Sequence, residues 1–319
     1  MDRQTRMTRY QQSSKKRLQA FIFIVAAVVL FLGVSFVSTS VHAAPAKEEV
    51  SSQQSAVKQQ LQKYINSVTK DGTVSVSFYN LGAKSSTPAG ASSTASFYKA
   101  GQLAVESSNA HKAYTSASTY KMFIVTNILS RINSGTLNKS VLKSTGFKEM
   151  ILHSQNGFAE SYLSSYGLSN MNSFVKKQGW YSHPFASNRA ARTTSATLVS
   201  VMRKLDQGRS PFNNASNRSQ VLSLMSRQVY RSGIPAGANQ AMKGSTTADK
   251  VGWLWSYNND AGIVTLPNGQ RYAIAIMTHG HGQSGFSGFP KIARITKNIQ
   301  TIVYGKTTTN KVNQLYGVK

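Results

Sequence analysis

The 319-residue chain has no cysteine. That excludes disulfides, thiolate zinc sites and a cysteine nucleophile. Acid is also scarce: Asp and Glu number 10 against 37 Lys and Arg, for a net charge of +27. So few carboxylates argue against an all-carboxylate metal cage. Charged residues are only 15% of the chain, too few for a typical disordered tail, and hydrophobic residues make up 40%. No internal repeat is present. The length accommodates two domains, or one compact unit behind a signal segment.

The first 43 residues read as separate from the fold. Arg3, Arg6, Arg9, Lys15, Lys16 and Arg17 face the single acid Asp2. An apolar run of 18 residues follows from Ala20 to Val37, and Val41-His42-Ala43 then offers a small-residue cleavage site. This is the order of a secretory signal peptide. An uncleaved N-terminal membrane anchor is the alternative, since the run reaches the lower limit for a bilayer span. Either way the basic end marks the cytoplasmic side, and the rest is expected outside, secreted or anchored to the outer face of the membrane. An exported basic protein meets anionic cell-wall polymers or a lipid surface rather than nucleic acid. A merely solvated cationic surface is the bland alternative.

Residues 44–55 are polar and Ser/Gln-rich and read as a linker. Val57, Leu61, Tyr64, Ile65 and Val68 recur at helical spacing and predict an amphipathic helix over 56–69. Val74, Val76 and Phe78 alternate with Thr73, Ser75 and Ser77, predicting a half-buried strand. Residues 82–96 read as a loop without a core. From 118 to 232 the pattern is helical, interrupted by polar loops near 182–192 and 209–219. Strand character returns from Gly252 to Thr278, with Leu266-Pro267-Asn268-Gly269 as a hairpin turn. Pro290 opens a last helix that Gly305 closes. The expectation is a catalytic domain over 56–306, with an α/β part from 56–117 and 233–306 and a helical part from 118–232. Residues 307–319 read as a tail. One sheet, with strands from both ends of the chain, encloses a helical insertion, and a site is expected at the seam.

Ser118-Thr119-Tyr120-Lys121 is one of several Ser-x-x-Lys strings. The same spacing begins at Ser13, Ser55, Ser67, Ser96, Ser140 and Ser173. Only Ser118 precedes a strongly apolar run, Met122 to Leu129, and so starts a buried helix. Ser and Lys at i, i+3 share a helix face. A lysine kept neutral by burial and by the positive helix end can take the serine proton. The alternative is an N-capping serine beside an unrelated lysine. Ser154-Gln155-Asn156 heads another helical stretch. Ser154 there can relay a proton and Asn156 can hold the lysine, or the segment is an ordinary cap. Lys250-Val251-Gly252-Trp253 begins a strand. Lys250 would be a fixed cation in the cleft, and Gly252 would let a substrate lie along the strand edge. The Trp253 and Ser118 backbone N–H groups would form an oxyanion hole.

The ordered set Ser-x-x-Lys, Ser-x-Asn, Lys-x-Gly resembles the penicillin-recognising serine hydrolases, most closely the class A β-lactamase-like family. Tyr114–Lys121 looks like the family's nucleophile segment, and Arg192-Thr193-Thr194-Ser195-Ala196 like its Thr-Thr helix start. Ile234-Pro235-Ala236-Gly237 and the pair Lys250–Gly252 and Asn259–Val264 look like its last loop and strand pair. The likeness spans roughly 56–304. It implies an α/β (α+β) fold: an antiparallel sheet flanked by N- and C-terminal helices, with an inserted all-α subdomain. It implies Ser118, Lys121, Ser154 and Lys250 as catalytic, with Asn156, Gly252 and Trp253 binding substrate. It implies no cofactor and no metal, a monomer, and a β-lactam or peptidoglycan-peptide substrate.

Two departures bear on function. The family's lactamases use a glutamate in the loop over 181–192 to activate the deacylating water. Between Glu160 and Asp206 this chain has no Asp or Glu. Val251 replaces the Thr/Ser hydroxyl that helps bind a substrate carboxylate. Without a general base, water attack slows by ~10²–10⁴-fold. Glu160, four residues after Asn156, is the one substitute base within helical reach; a surface charge is the alternative. Slow deacylation, a D,D-peptidase and a non-catalytic wall-binding pseudoenzyme all remain open. His279-Gly280-His281 lacks a third metal ligand and reads as a rim loop. Trp253 and Trp255 are ligand platforms or rim packing. Lys291, Arg294 and Lys297 form a charged face on the last helix.

Overall fold

The computed structural model describes residues 45–318. The signal or anchor expected over 1–43 lies outside them, and no described helix is long and apolar enough to cross a membrane. The strands are β1 (Val74–Ala83), β2 (Val105–Glu106), β3 (Tyr114–Thr115), β4 (Arg192–Thr193), β5 (Thr246–Leu254), β6 (Tyr257–Thr265) and β7 (Gln270–Thr278). The α-helices are α1 (Lys47–Thr69), α2 (Pro88–Ala91), α3 (Lys121–Asn133), α4 (Thr145–Leu152), α5 (Gly157–Tyr166) and α6 (Leu168–Lys177), then α7 (Ser195–Gln207), α8 (Ala215–Ser226), α9 (Ile234–Ala241), α10 (Phe289–Tyr304) and α11 (Lys306–Leu315).

Five strands form one antiparallel sheet in the order β2-β1-β7-β6-β5. β1 from the N-terminal part pairs with β7, so the two ends of the domain close one sheet around the helical block. Period-two alternation divides β7 between two cores. Ala273, Ala275 and Met277 join the cluster with Phe123, Ile128, Phe147 and Met202 of the helical block. Tyr272, Ile274 and Ile276 join the cluster with Leu61, Ile65, Ile292 and Ile299 of α1 and α10. The sheet is thus the middle of three layers, as expected for an α+β fold with a helical insertion.

Several boundaries differ from the sequence reading. The expected linker over 44–55 is helical from Lys47. Glu48 and Glu49 in the first turn favour the positive helix end, and Gln54 Nε2 donates to Phe97 O at 2.8 Å. The expected tail over 307–319 is largely α11. Val312 is buried there, and Tyr316 Oη and Ser96 Oγ share a hydrogen bond of 2.7 Å. The 82–96 loop carries α2 and a short 3₁₀ turn, Ser93–Ser96, and Ala89 N donates to Asn268 O at 2.9 Å. α8 begins at Ala215, inside the expected 209–219 loop, where Asn214 caps it by accepting from Asn217 N.

β1 is buried on both faces rather than half-buried. Its polar alternates Ser75 and Ser77 face α7, where Ser195 Oγ lies 2.8 and 2.9 Å from their hydroxyls. Mutual hydrogen bonding is what permits three hydroxyls in a packed layer. The same helix is capped by Thr194, which accepts from Thr197 N at 3.0 Å.

Candidate active site

The segment of Ser118, the expected nucleophile, is a 3₁₀ turn, Ala117–Tyr120, rather than the first turn of the α-helix; α3 begins at Lys121. Tyr120, not Ser118, occupies the N-cap position, so the capping alternative for Ser118 does not hold. Ala117 sits at φ 45°, a left-handed conformation that is costly for a residue with a Cβ. The turn is pinned from outside. Ser116 N donates to Ala191 O at 2.8 Å, and Asn259 Nδ2 donates to Thr115 O at 2.8 Å. β3 and β4 pair alongside, tying the segment to the end of the 181–192 loop.

Strand β5 meets this turn at Gly252. A Cβ there would lie 2.6 Å from Ser118 N and 2.8 Å from Thr119 N. The Ser118 turn itself therefore requires glycine at 252, a constraint the sequence reading did not include. Alternation places Lys250 and Gly252 on the Ser118 face and Val251 on the other. Val251 is fully buried and belongs to the cluster with Ile234 and Phe289, so it presents no polar group to a ligand.

Lys121 is fully buried and has three oxygen partners. Its Nζ stands 2.9 Å from Ser118 Oγ, 2.6 Å from Ser154 O and 2.7 Å from Asn156 Oδ1. The last two are carbonyl oxygens and only accept. A neutral amine has two N–H bonds and one lone pair. Donating both to these carbonyls leaves the lone pair for the Ser118 hydroxyl. Asn156 precedes α5 but makes no side-chain cap bond, because its Oδ1 is engaged by the lysine. Ser154 adopts φ 57° and is buried, with its Oγ accepting from Lys250 Nζ at 2.7 Å. Lys250 Nζ also donates to Val251 O at 2.8 Å.

Burial pushes Lys121 down to about 8, with the charge of Glu160 pulling the other way. Burial pushes Lys250 further, to about 7, helped by the charge of Lys121 and opposed by Asp249 and Asp260. Burial therefore works against a permanently charged Lys250, while Asp249 and Asp260 favour its cationic form. Behind Lys250, Asp249 bonds Arg231 Nη1 at 2.6 Å and also Gln228 Nε2, while Asp260 Oδ2 accepts from Ile234 N at 2.8 Å. Burial raises both carboxyls, Asp260 to about 6. Asp260 and Ile234 fall in segments that resemble the family, but their pairing with each other, and the role of Asp249, Arg231 and Gln228 behind Lys250, was missed in the sequence.

Six expected residues thus converge: Ser118, Lys121, Ser154, Asn156, Lys250 and Gly252. Trp253 lies next along β5, packed on Tyr230 and Phe286 with ring centroids 4.7 and 4.6 Å away. Glu160 is exposed on the first turn of α5 and makes no side-chain hydrogen bond among the described residues. Its field reaches Lys121 all the same. His279 and His281 do not converge. His279 packs against Tyr114 and Tyr257 with its ring tilted to both, and His281 Nε2 bonds Asp71 Oδ2 at 2.7 Å.

A family model described as the Beta-lactamase enzyme family matches residues 145–304, half of the chain. The chain belongs to the β-lactamase-like serine hydrolase family. The match includes Ser154, Asn156, Lys250 and Gly252 and begins after Lys121. No curated protein matches significantly. Among solved structures, a point mutant of PBP-A in an acyl-enzyme complex with penicillin G is 21% identical, covering 81% of this chain and 97% of its own, with a TM-score of 0.58. A class A β-lactamase from Bacteroides cellulosilyticus is 18% identical over 80% of this chain and 99% of its own, TM-score 0.58. A β-lactamase from Xanthomonas campestris is 14% identical over 77% and 98%, TM-score 0.59. At these identities the likeness shows the fold. The family's α+β architecture, with an antiparallel sheet and an inserted helical block, is the one described above.

Proposed function

We propose that this family member is an exported serine hydrolase that acylates Ser118 with β-lactam or D-Ala-D-Ala-like amides and deacylates slowly. The observation that carries this reading is the Lys121 amine, 2.9 Å from Ser118 Oγ with its other two partners both carbonyls. In the acylation step the Ser118 Oγ proton passes to the Lys121 lone pair as the Oγ–C bond forms. The C–N bond then breaks, and the leaving nitrogen takes a proton through the Ser154 hydroxyl, which Lys250 holds at 2.7 Å. The N–H groups of Ser118 and Trp253 are assigned to the developing oxyanion. Slow release rests on the carboxylate-free stretch between Glu160 and Asp206.

A D,D-peptidase acting on wall peptides is favoured over a fast lactamase by the same missing base, since both share the acylation step. Export and wall association rest on the signal-like order of residues 1–43 and the charge of +27. Intact-mass analysis after exposure to penicillin should give an adduct that Ser118→Ala removes. An adduct that survives in the variant, or none in the wild type, sinks the assignment.

A further inference from the structure

A cavity of about 720 Å³ opens between β3, the end of the 181–192 loop and the β5–β6 turn. Its walls include three cations, Lys112, Arg189 and Arg192, and four rings, Tyr114, Trp255, Tyr257 and His279. No carboxylate lines it. Among the described residues none of the three cations forms a salt bridge. Arg189 and Arg192 donate only to backbone carbonyls, of His183 at 3.0 Å and Ala113 at 2.5 Å, and keep further N–H groups to offer. Asp71, the carboxylate whose field reaches His279, is itself taken up by Thr73 and His281.

Trp255 marks the cavity as more than a charged dent. It is 67% exposed, so burial does not account for it. It occupies the two-residue connection between Leu254 and Tyr257 at φ 53°, where hairpins favour glycine or asparagine. Neither backbone preference nor packing explains an indole there. An exposed aromatic in a strained conformation is the kind of outlier that function retains. Tyr114, His279 and Tyr257 also line the cavity and pack in series, with centroids 5.2 and 5.0 Å apart and planes tilted by 38° and 34°.

Flat rings with cations around them select a ring-shaped, weakly polar body bearing negative charge. We propose that this cavity binds an anionic saccharide, a pyranose carrying a carboxylate or phosphate, with Trp255 against the sugar face and Arg189 and Lys112 on the charge. A guanidinium meets either anion with paired N–H donors. The site does not rest on the hydrolase reading and can be tested in Ser118→Ala, where acylation plays no part.

Ligand-observed NMR titrations of the Ser118→Ala protein would compare N-acetylmuramic acid, glucose 6-phosphate, neutral N-acetylglucosamine and inorganic phosphate. Both anionic sugars are expected to bind about tenfold or more tightly than either the neutral sugar or phosphate alone, since charge-assisted hydrogen bonds and ring contact are each needed. Trp255→Gly, which the backbone accepts, and Arg189→Ala should each lose most of that affinity. Phosphate binding as tightly as the sugars would reduce the cavity to a generic anion trap. The neutral sugar binding equally would remove the role of the cations. Full affinity in Trp255→Gly, or no binding by any probe in the millimolar range, overturns the proposal.

Discussion

A Cβ on Gly252 would stand 2.6 Å from the backbone nitrogen of Ser118. The obstructing atoms are main chain, which cannot swing aside as the end of a flexible side chain does. Strand β5 therefore sets the position of the nucleophile turn, and through Ser118 N it sets one wall of the proposed oxyanion site.

The first prediction follows from that contact. Gly252→Ala should force the turn and strand apart, at a cost of about 1–3 kcal/mol in stability. Acylation should fall by more than stability alone explains, because Ser118 N moves with the turn. Thermal unfolding and the rate of penicillin labelling, measured on the same preparation, test both parts. Labelling at the wild-type rate would show that the turn tolerates the displacement.

The second prediction concerns pH. Burial holds Lys121 near about 8 and Lys250 near about 7, both below the ordinary lysine value of 10.5. A lysine base works in its neutral form, and the neutral fraction grows as pH rises through the folded pKa. Acylation should therefore climb from pH 6 and level off above the Lys121 value of about 8. The sign for stability is the same: between these values and 10.5 the unfolded chain holds protons the folded chain has lost, so unfolding free energy rises with pH from these groups. Stopped-flow labelling across pH 6–9 reads the first. A flat profile would remove the neutral-lysine mechanism. Lys121→Arg should abolish labelling at every pH, since arginine stays protonated.

The sequence made some of this legible. Ser118 and Lys121 share a helical turn, so their proximity is local and follows from spacing. The apolar run after them also marked the helix as buried. Ser154 and Lys250 lie 96 positions apart, and only tertiary packing brings Nζ to Oγ; a family resemblance was needed to pair them. The contact of Gly252 with the Ser118 turn was not legible, because its neighbour is another backbone segment that no local pattern reveals. Ser75 and Ser77 read as solvent-facing, since their partner Ser195 is more than 100 residues away. The Ser/Gln composition of 47–55 hid a helix whose stabilising contacts come from Phe97 and the charged first turn.

The third prediction uses Asn156, whose Oδ1 lies 2.7 Å from Lys121 Nζ. Asn156→Asp keeps the shape and adds a negative charge beside the amine. An opposite charge this close raises a lysine pKa by about 1–3 units. The midpoint of the acylation profile should move to higher pH by that amount, with activity partly recovered in alkaline buffer. A structural role alone would lower the rate at all pH values without moving the midpoint, and that outcome would take Asn156 out of the tuning of Lys121.

The fourth prediction is that deacylation limits turnover. Acylation needs a nucleophile, a base, a proton relay and oxyanion donors, and the candidates Ser118, Lys121, Ser154 and the Ser118 and Trp253 N–H groups supply them. Deacylation needs in addition a base beside the attacking water. From Ser161 to Leu205 no carboxylate is available, and Lys121 and Asn156 are occupied with each other. A chromogenic β-lactam should give a burst about equal to the enzyme present, then a slow steady state. Glu160 is the one carboxylate whose field already reaches Lys121. If Glu160→Gln lowers the steady rate sharply while the burst remains, Glu160 supplies the residual base. If it leaves both unchanged, Glu160 is a surface charge and release proceeds without a carboxylate. Turnover above ~10 s⁻¹ with no burst would place the wild type among ordinary fast enzymes and refute slow deacylation.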